Sequence, residues 1–356
     1  MNPQKLRGRG AQINPKNRFE RIYIDKDNAD FVSDYFDEET EQKLETFFFK
    51  DQSKAVISKN NSEDIYFDYS FNPYRGCEHG CIYCYARPTH EYLGFSSGID
   101  FESKIMIKEK AAYLLEKEFN KKNYKPDVIM FSGNTDCYQP VERKLEITRN
   151  ALKICLEYKN PVSIITKNSL IQRDLDILTD LAKLNLVSVM ISITSLTKEI
   201  MRRMEPRAST PEKRLKTIEL IAQRNIPIGV NLAPIIPGLN DMEIPEILKE
   251  SSFYGASFAG YILLRLPLSV KDLFINWLQK EFPERSSKIL NNIRQTRNGK
   301  LNESEFGKRF KGEGELAETI KNLFQISCKK FGLLNNRINL RTDLFQNNLK
   351  DQYELF

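Results

Sequence analysis

Cys77, Cys81 and Cys84 fall within eight positions of the stretch FNPYRGCEHGCIYCYARPTH (71–90), and no fourth cysteine stands nearby. Thiolates are ligands for soft metal centres, and their number helps decide which centre they hold. A structural zinc site closes four positions, usually with two C-x2-C pairs or pairs completed by histidines. Here the local set stops at three, with His79 inside the same tight loop and His90 six residues beyond Cys84 as the conceivable fourth zinc ligand. Gly76 and Gly80 let the backbone curl tightly enough for three thiols to face one centre. An iron–sulfur cubane explains the count better. Each iron takes one thiolate, and a cluster held by three leaves one iron open to another ligand.

Such a loop needs a scaffold, and the chain is long enough to build one. It has 356 residues, of which 40% are hydrophobic and 29% charged, the range of an ordinary globular protein rather than a disordered or collagen-like one. The net charge of +6 arises from 54 basic and 48 acidic residues, too evenly mixed to identify a nucleic-acid binder by charge alone. The basic, polar start MNPQKLRGRGAQINPKNRFER lacks the apolar core of a secretory signal, and no apolar run reaches membrane-spanning length, so a cytoplasmic location with no membrane association is expected. Six cysteines in so long a chain, three of them crowded together, argue against a disulfide framework.

Short apolar runs at 65–71, 127–132, 162–166, 187–193, 228–233 and 260–265 alternate with amphipathic stretches, the pattern of βα units on a parallel sheet. The segment VERKLEITRNALKICLEY places Val141, Leu145, Leu152, Cys155 and Leu156 on one helix face. The predicted architecture is an α/β fold, a partial six-stranded (β/α) barrel over 65–267. It carries an N-terminal extension (1–64), containing the helix-like run ETEQKLETFFFK, and a C-terminal helical extension (268–356). The cysteines then lie on the first βα loop, at the barrel edge that carries chemistry.

C-x3-C-x2-C with an aromatic residue, Tyr83, before the last cysteine resembles the signature of the radical S-adenosylmethionine (SAM) superfamily. The resemblance implies a [4Fe-4S] cluster on Cys77, Cys81 and Cys84 whose open iron takes SAM, an external one-electron reductant of the flavodoxin or ferredoxin type, and hydrogen abstraction from a substrate. More narrowly, CIYCYA, SGNTDCYQPVE, ITKNS, ISITSL, EPRASTPEKRL and APIIPGLND resemble the branch that includes spore photoproduct lyase. That branch implies a substrate of modified or damaged nucleic acid, with lyase-like activity as one reading.

The strand ends then acquire expected roles around SAM. Asn134, Thr135 and Asp136 follow the second strand, where relatives receive the SAM amino group; an Asx turn is the other reading of Asp136. Lys167 resembles the lysine that meets the SAM carboxylate, against a solvated strand end. Ser192 and Ser195 suit ribose or carboxylate, or only backbone groups. Arg207 offers a guanidinium fork, as does Arg214, for which a surface ion pair is equally available. Around Ile235 in APIIPGLND, Pro234, Pro237 and Gly238 either let the backbone approach adenine or simply end the strand. Together with Tyr83 and Ile235, and without Arg214, these polar residues make the expected cofactor-binding set.

Two residues are read as catalytic. Tyr85 matches a tyrosine proposed to relay the radical in the lyase, and it also suits plain packing. Cys137 follows Asp136 directly and offers a thiol for returning hydrogen, since Gly133 occupies the place of the hydrogen-donating lyase cysteine; a small residue tucked beneath the loop is the alternative. Cys155 and Cys328 sit on apolar helix faces and read as core. Six Lys or Arg in the first 21 residues, with RFK at 309–311, either follow phosphates or form solvated tails. An iron–sulfur electron carrier that never cleaves SAM and a zinc-stabilised adaptor are the alternatives of a different class.

Overall fold

The computed structural model describes residues 6–19, 44–334 and 338–347. Among them, ten strands follow in chain order: β1 (Phe47–Lys50), β2 (Ile57–Lys59), β3 (Tyr69–Phe71), β4 (Tyr74–Arg75), β5 (Lys104–Ile107), β6 (Ile129–Phe131), β7 (Val162–Thr166), β8 (Val187–Ser192), β9 (Ile228–Ile235) and β10 (Phe258–Leu263). Seven form one sheet in the order β10-β9-β8-β7-β6-β3-β2. Its six strands from β3 to β10 are parallel and correspond to the six apolar runs, while β2 adds an antiparallel edge beside β3. The two ends of this sheet do not pair with each other, which makes the barrel partial.

Alternation along the parallel strands separates two environments. Val162, Ile164, Val187, Val189, Val230 and Leu232 are buried and face the surrounding helices, including Ile147–Glu157, Leu175–Lys183 and Pro211–Ala222. The opposite face mixes small and polar residues with larger apolar ones: Ser163 and Ser188 hydroxyls meet at 3.1 Å, the register sets Ser192 beside Asn231 and Asn231 beside Gly260, and Ile165 pairs with Met190 on the same side. That face lines the barrel interior and leads to the loops at the strand C-termini.

Two local expectations change. The segment 141–158 is not one helix: Glu142–Leu145 and Ile147–Glu157 are separated at Glu146, whose φ is 51°. The break lets Thr148 N–H donate to the buried Glu142 carboxylate, and it leaves Leu145 exposed and Leu156 half-buried rather than on the Ala151–Leu152–Cys155 face. In ETEQKLETFFFK, residues 39–43 lie outside the described residues, and Phe47–Lys50 form β1, paired in parallel with β5. Three consecutive phenylalanines favour a strand, and the available edge of β5 overrides the helical spacing.

The flanking segments pack onto the barrel. Helix Glu315–Lys330 lies against Ile244–Phe253, Ala259 N–H donates to Leu334 at 2.9 Å, and Leu263 N–H donates to Phe310 at 2.9 Å. These contacts cover the edge of β10, which would otherwise present unpaired backbone groups. Helices Val270–Glu281 and Ser286–Gln295 form a second apolar cluster with Trp277, Phe274 and Ile289.

Candidate active site

Gly76 and Gly80 bracket Cys77 with φ of 80° and 67°, a left-handed backbone that side chains resist. A Cβ at Gly80 would stand 2.7 Å from Glu102 Oε2. The loop is pinned on several sides: Cys77 N–H donates to Phe101 at 2.9 Å, Ile82 N–H to Met204 at 3.1 Å, and Glu78 N–H to Gln139 Oε1 at 2.9 Å. Arg87, fully buried, donates through Nε to the Cys81 carbonyl at 2.9 Å and pairs with Glu102.

The N-terminal RGRGA segment completes this support. Glu102 accepts from Gly10 N–H at 3.0 Å and Ala11 N–H at 2.8 Å, and Arg9 donates to the Glu102 carbonyl at 2.6 Å and the Leu44 carbonyl at 2.7 Å. Gly10 lies so close to the cysteine loop that a Cβ would fall 1.9 Å from the Gly80 carbonyl oxygen. Arg9 is therefore neither a phosphate-tracking residue nor part of a solvated tail. At the other basic cluster, Arg309 of RFK is paired with Asp64.

One cavity brings together Cys77, Cys81 and Cys84 with Tyr83, Tyr85, Asn134, Thr135, Asp136, Lys167 and Ser192. Burial pushes the Cys77 thiol well up, and Asp136 and the other two thiols add to the shift. Burial and Glu205 raise Cys81, and burial raises Cys84 against the opposing Arg87. Three thiols sharing a buried wall are therefore poor free thiolates and await positive charge. Among the described residues, no three His, Cys, Asp or Glu side chains gather closely enough to hold one metal ion. Ligands of a single zinc must converge at about 2.3 Å from its centre, whereas a multi-iron cluster accepts thiolates set farther apart. The donor set fits the cluster. His90 does not line the cavity: it is buried against Phe95 and Phe101, where burial lowers it to about 4.

Two carboxylates organise the polar wall. Burial opposes the charge of Asp136, but His79, the Lys167 N–H at 2.9 Å and the Thr166 hydroxyl at 2.7 Å hold it at about 2. The same carboxylate accepts Tyr138 N–H at 2.9 Å, so the Asx turn exists and Asp136 lines the cavity as well. Glu205 is fully desolvated, yet Arg214, then Lys167, and the Thr194 and Tyr83 hydroxyls hold it at about 2. Lys167 Nζ stands 3.7 Å from Glu205 and donates to the Ala233 carbonyl at 3.1 Å. Arg214 is no surface residue: it is fully buried and also donates to the Ser192 carbonyl at 2.7 Å and the Ser209 carbonyl at 2.8 Å.

Several expected site residues fall elsewhere. Cys137 is fully buried in the main core, with Ser132 and Thr148 against its thiol, and does not line the cavity. Its neighbour Asp136 takes the cavity side of the turn and sends the next side chain inward. Ser195 Oγ donates to Glu243 at 2.7 Å, Ile235 is buried behind Ala233 and Pro234, and Arg207 pairs with Glu78 at 3.0 Å; none of the three lines this cavity. Arg207 lines a second, polar cavity with Arg143, Asn168 and Lys213. Cys155 and Cys328 are core residues, as expected.

Sequence reasoning passed over Glu205, Asn231, Arg265 and Phe310, although the last three line the cavity. Asn231 and Arg265 carried a usable signal, a polar side chain within or directly after an apolar strand. Glu205 carried none, because its importance lies in contacts with Tyr83 and Arg214, far from it or hidden in the loop.

A partial parallel barrel with three thiols on its first loop and a polar wall at the following strand ends defines a radical SAM core. The sequence matches the radical SAM superfamily over residues 71–250, and the chain belongs to that superfamily. It is an enzyme of this class, whose members use an iron–sulfur cluster and SAM. An uncharacterised protein of Mycobacterium tuberculosis is 33% identical over 234 residues, covering 65% of this chain and 69% of that protein. An uncharacterised protein of Methanocaldococcus jannaschii is 29% identical over 226 residues, covering 63% of this chain and 80% of that protein. Spore photoproduct lyase complexed with dinucleoside spore photoproduct shares the fold, with a TM-score of 0.57 at 16% identity over 80% of each chain. No helix among the described residues is long and apolar enough to cross a membrane.

Proposed function

We propose that Cys77, Cys81 and Cys84 hold a [4Fe-4S] cluster at which this enzyme cleaves SAM reductively to abstract hydrogen from a substrate, with modified or damaged nucleic acid the favoured class. The observation that carries this reading is the convergence of the three thiols with Lys167, Asp136, Ser192 and Asn231 on one cavity. When bound, the cluster and SAM supply a 5'-deoxyadenosyl radical. The chain's own groups bind and orient. Lys167 is a cation for the SAM carboxylate, held in place by Glu205 and the Ala233 carbonyl. Asn134 is a polar group in the loop after β6, and Ser192 at the end of β8 and Asn231 within β9 offer neighbouring polar side chains. Asp136 anchors the Lys167 backbone and, through His79, the cysteine loop.

Residues 65–267 act as the catalytic barrel in this reading, and the flanking segments act as supports. A ferredoxin- or flavodoxin-type protein supplies the electron in the cytoplasm. Nucleic acid is favoured because the solved structures that share this fold include spore photoproduct lyase with bound AdoMet and dinucleoside spore photoproduct. The lyase reaction itself receives less support. Gly133 has no room for a side chain, since a Cβ there would meet Ser70 Cβ at 2.8 Å, and the Cys137 thiol is turned away. Tyr85 remains the group best placed to meet a radical, lining the cavity beside Cys84 with its hydroxyl on the Gly133 carbonyl at 2.5 Å.

Anaerobic reconstitution with iron and sulfide, followed by dithionite and SAM, tests the proposal. Release of 5'-deoxyadenosine supports it. A reduced cluster indifferent to SAM assigns the chain to electron transfer, and stoichiometric zinc without iron assigns it to a structural adaptor.

A further inference from the structure

Three arginines meet where the end of β10 approaches the loop 296–314, and their partners differ. Arg297 is buried and donates to the carbonyls of Leu264 at 2.7 Å, Arg309 at 2.9 Å and Lys308 at 3.2 Å, stapling that loop to β10. Arg309 is paired with Asp64. Arg265 has neither kind of partner: its Nε is buried without an acceptor, and among the described residues its guanidinium makes no hydrogen bond or ion pair. It lies 5.9 Å from the ring centre of Tyr85 and 4.9 Å from that of Phe310, and all three line the cavity that holds the cysteines. Burial and the adjacent Arg309 both disfavour its charge.

With two aromatic rings near it and no acceptor among the described residues, the guanidinium keeps N–H donors available for an anion. Its planar fork matches two oxygens of one anion. SAM's carboxylate already has its proposed cation in Lys167, which follows β7 and reaches the Ala233 carbonyl of β9, whereas Arg265 follows β10 and lies beside Tyr85 and Phe310. The stack links the cysteine loop, which follows β4, to Arg265, two residues beyond the end of β10. Exposed Tyr85 and Phe306 stand at this corner, Phe306 beneath the Arg309 guanidinium at 4.8 Å, and provide faces on which a base can stack.

We propose that Arg265 is the anion anchor of the substrate, taking a phosphate group of a nucleotide unit whose base stacks on the adjacent aromatic rings. The proposal rests on the cavity being the substrate site and adds the subsite that holds the substrate against it. The test uses reconstituted protein and a fluorescently labelled single-stranded DNA oligomer, with inorganic phosphate as competitor. Arg265→Gln should weaken oligomer binding at least about tenfold, the scale of a lost charge-assisted hydrogen-bond pair. Arg265→Lys should fall between, because lysine keeps the charge without the fork. Inorganic phosphate should displace the oligomer from wild type and have much less effect on Arg265→Gln, and the visible absorption of the cluster reports that each variant is folded.

Equal oligomer affinity in wild type and Arg265→Gln overturns the proposal, as does failure of wild type to bind the oligomer. A parallel fall in SAM affinity also overturns it, by assigning Arg265 to the cofactor. Failure of wild type to cleave SAM would sink the function proposed above while these binding measurements still decide the anchor.

Discussion

In Glu205→Gln the side chain keeps its shape and loses its charge, leaving the Arg214 guanidinium fully buried opposite a neutral amide. Removing one member of a buried ion pair costs about 3–5 kcal/mol, because the remaining charge has neither water nor partner. A second route reaches the same scale. Glu205 is held at about 2, against an ordinary carboxylate value near ~4.3, a difference that corresponds to about 3 kcal/mol of stability. The sign follows from the depressed folded value: the contribution is fully present above the unfolded pKa and is lost as pH falls through the folded one. Urea unfolding of the apo proteins should therefore show Glu205→Gln less stable by about 3 kcal/mol at pH 7, with the gap narrowing as pH falls from about 5 toward 2. Variant stability within about 0.5 kcal/mol of wild type at pH 7 would refute the account of Glu205 as the charge that holds Arg214 and Lys167. A gap that stayed constant across the acid range would refute the electrostatic origin and leave only a steric effect.

Other consequences are separable. Cys81→Ala should abolish the SAM-coordinating [4Fe-4S] signal in electron paramagnetic resonance, since the remaining cysteines, Cys137, Cys155 and Cys328, are all core residues; a retained signal would exclude Cys81 as a ligand. Lys167→Ala should leave iron and sulfide content intact and weaken SAM binding by about tenfold, the value of one charge-assisted contact, and unchanged affinity by calorimetry would remove Lys167 from the site. Gly10→Ala forces a Cβ to 1.9 Å from the Gly80 carbonyl oxygen, so the N-terminal segment must shift from the cysteine loop. The expected loss is about 1–3 kcal/mol, with faster proteolytic cleavage near residue 10, and a wild-type digestion pattern would contradict that close approach.

The chain's local patterns carried the fold class and the cysteine centre. Strand placement was legible because an apolar run buried on a parallel sheet is a property of consecutive residues: 162–166 coincides with β7 and 187–193 with β8 within one residue. The three-thiol loop was legible for the same reason, since ligand number and spacing are local. Asp136 and Lys167 were legible as cavity-lining positions because they follow β6 and β7, and a parallel barrel turns the loops after its strands toward one face.

What tertiary structure decided was the partner of each polar group. Arg9 looks like part of a basic tail until Glu102, 93 residues away, buries it beneath the cysteine loop. Arg207 and Arg214 stand seven positions apart, yet one lines a second cavity and the other is sealed against Glu205. Cys137 sits beside a cavity residue and turns into the core, because adjacent side chains in a turn need not share a direction. Arg265 stands out in the sequence only as a polar residue after an apolar strand; that it lacks a hydrogen-bonding partner among the described residues is something no window of sequence can display. Composition and periodicity determine which segments become strands and helices, because those depend on neighbours along the chain; a charge acquires its role from the groups that folding brings within a few ångströms, and those are set by topology and burial.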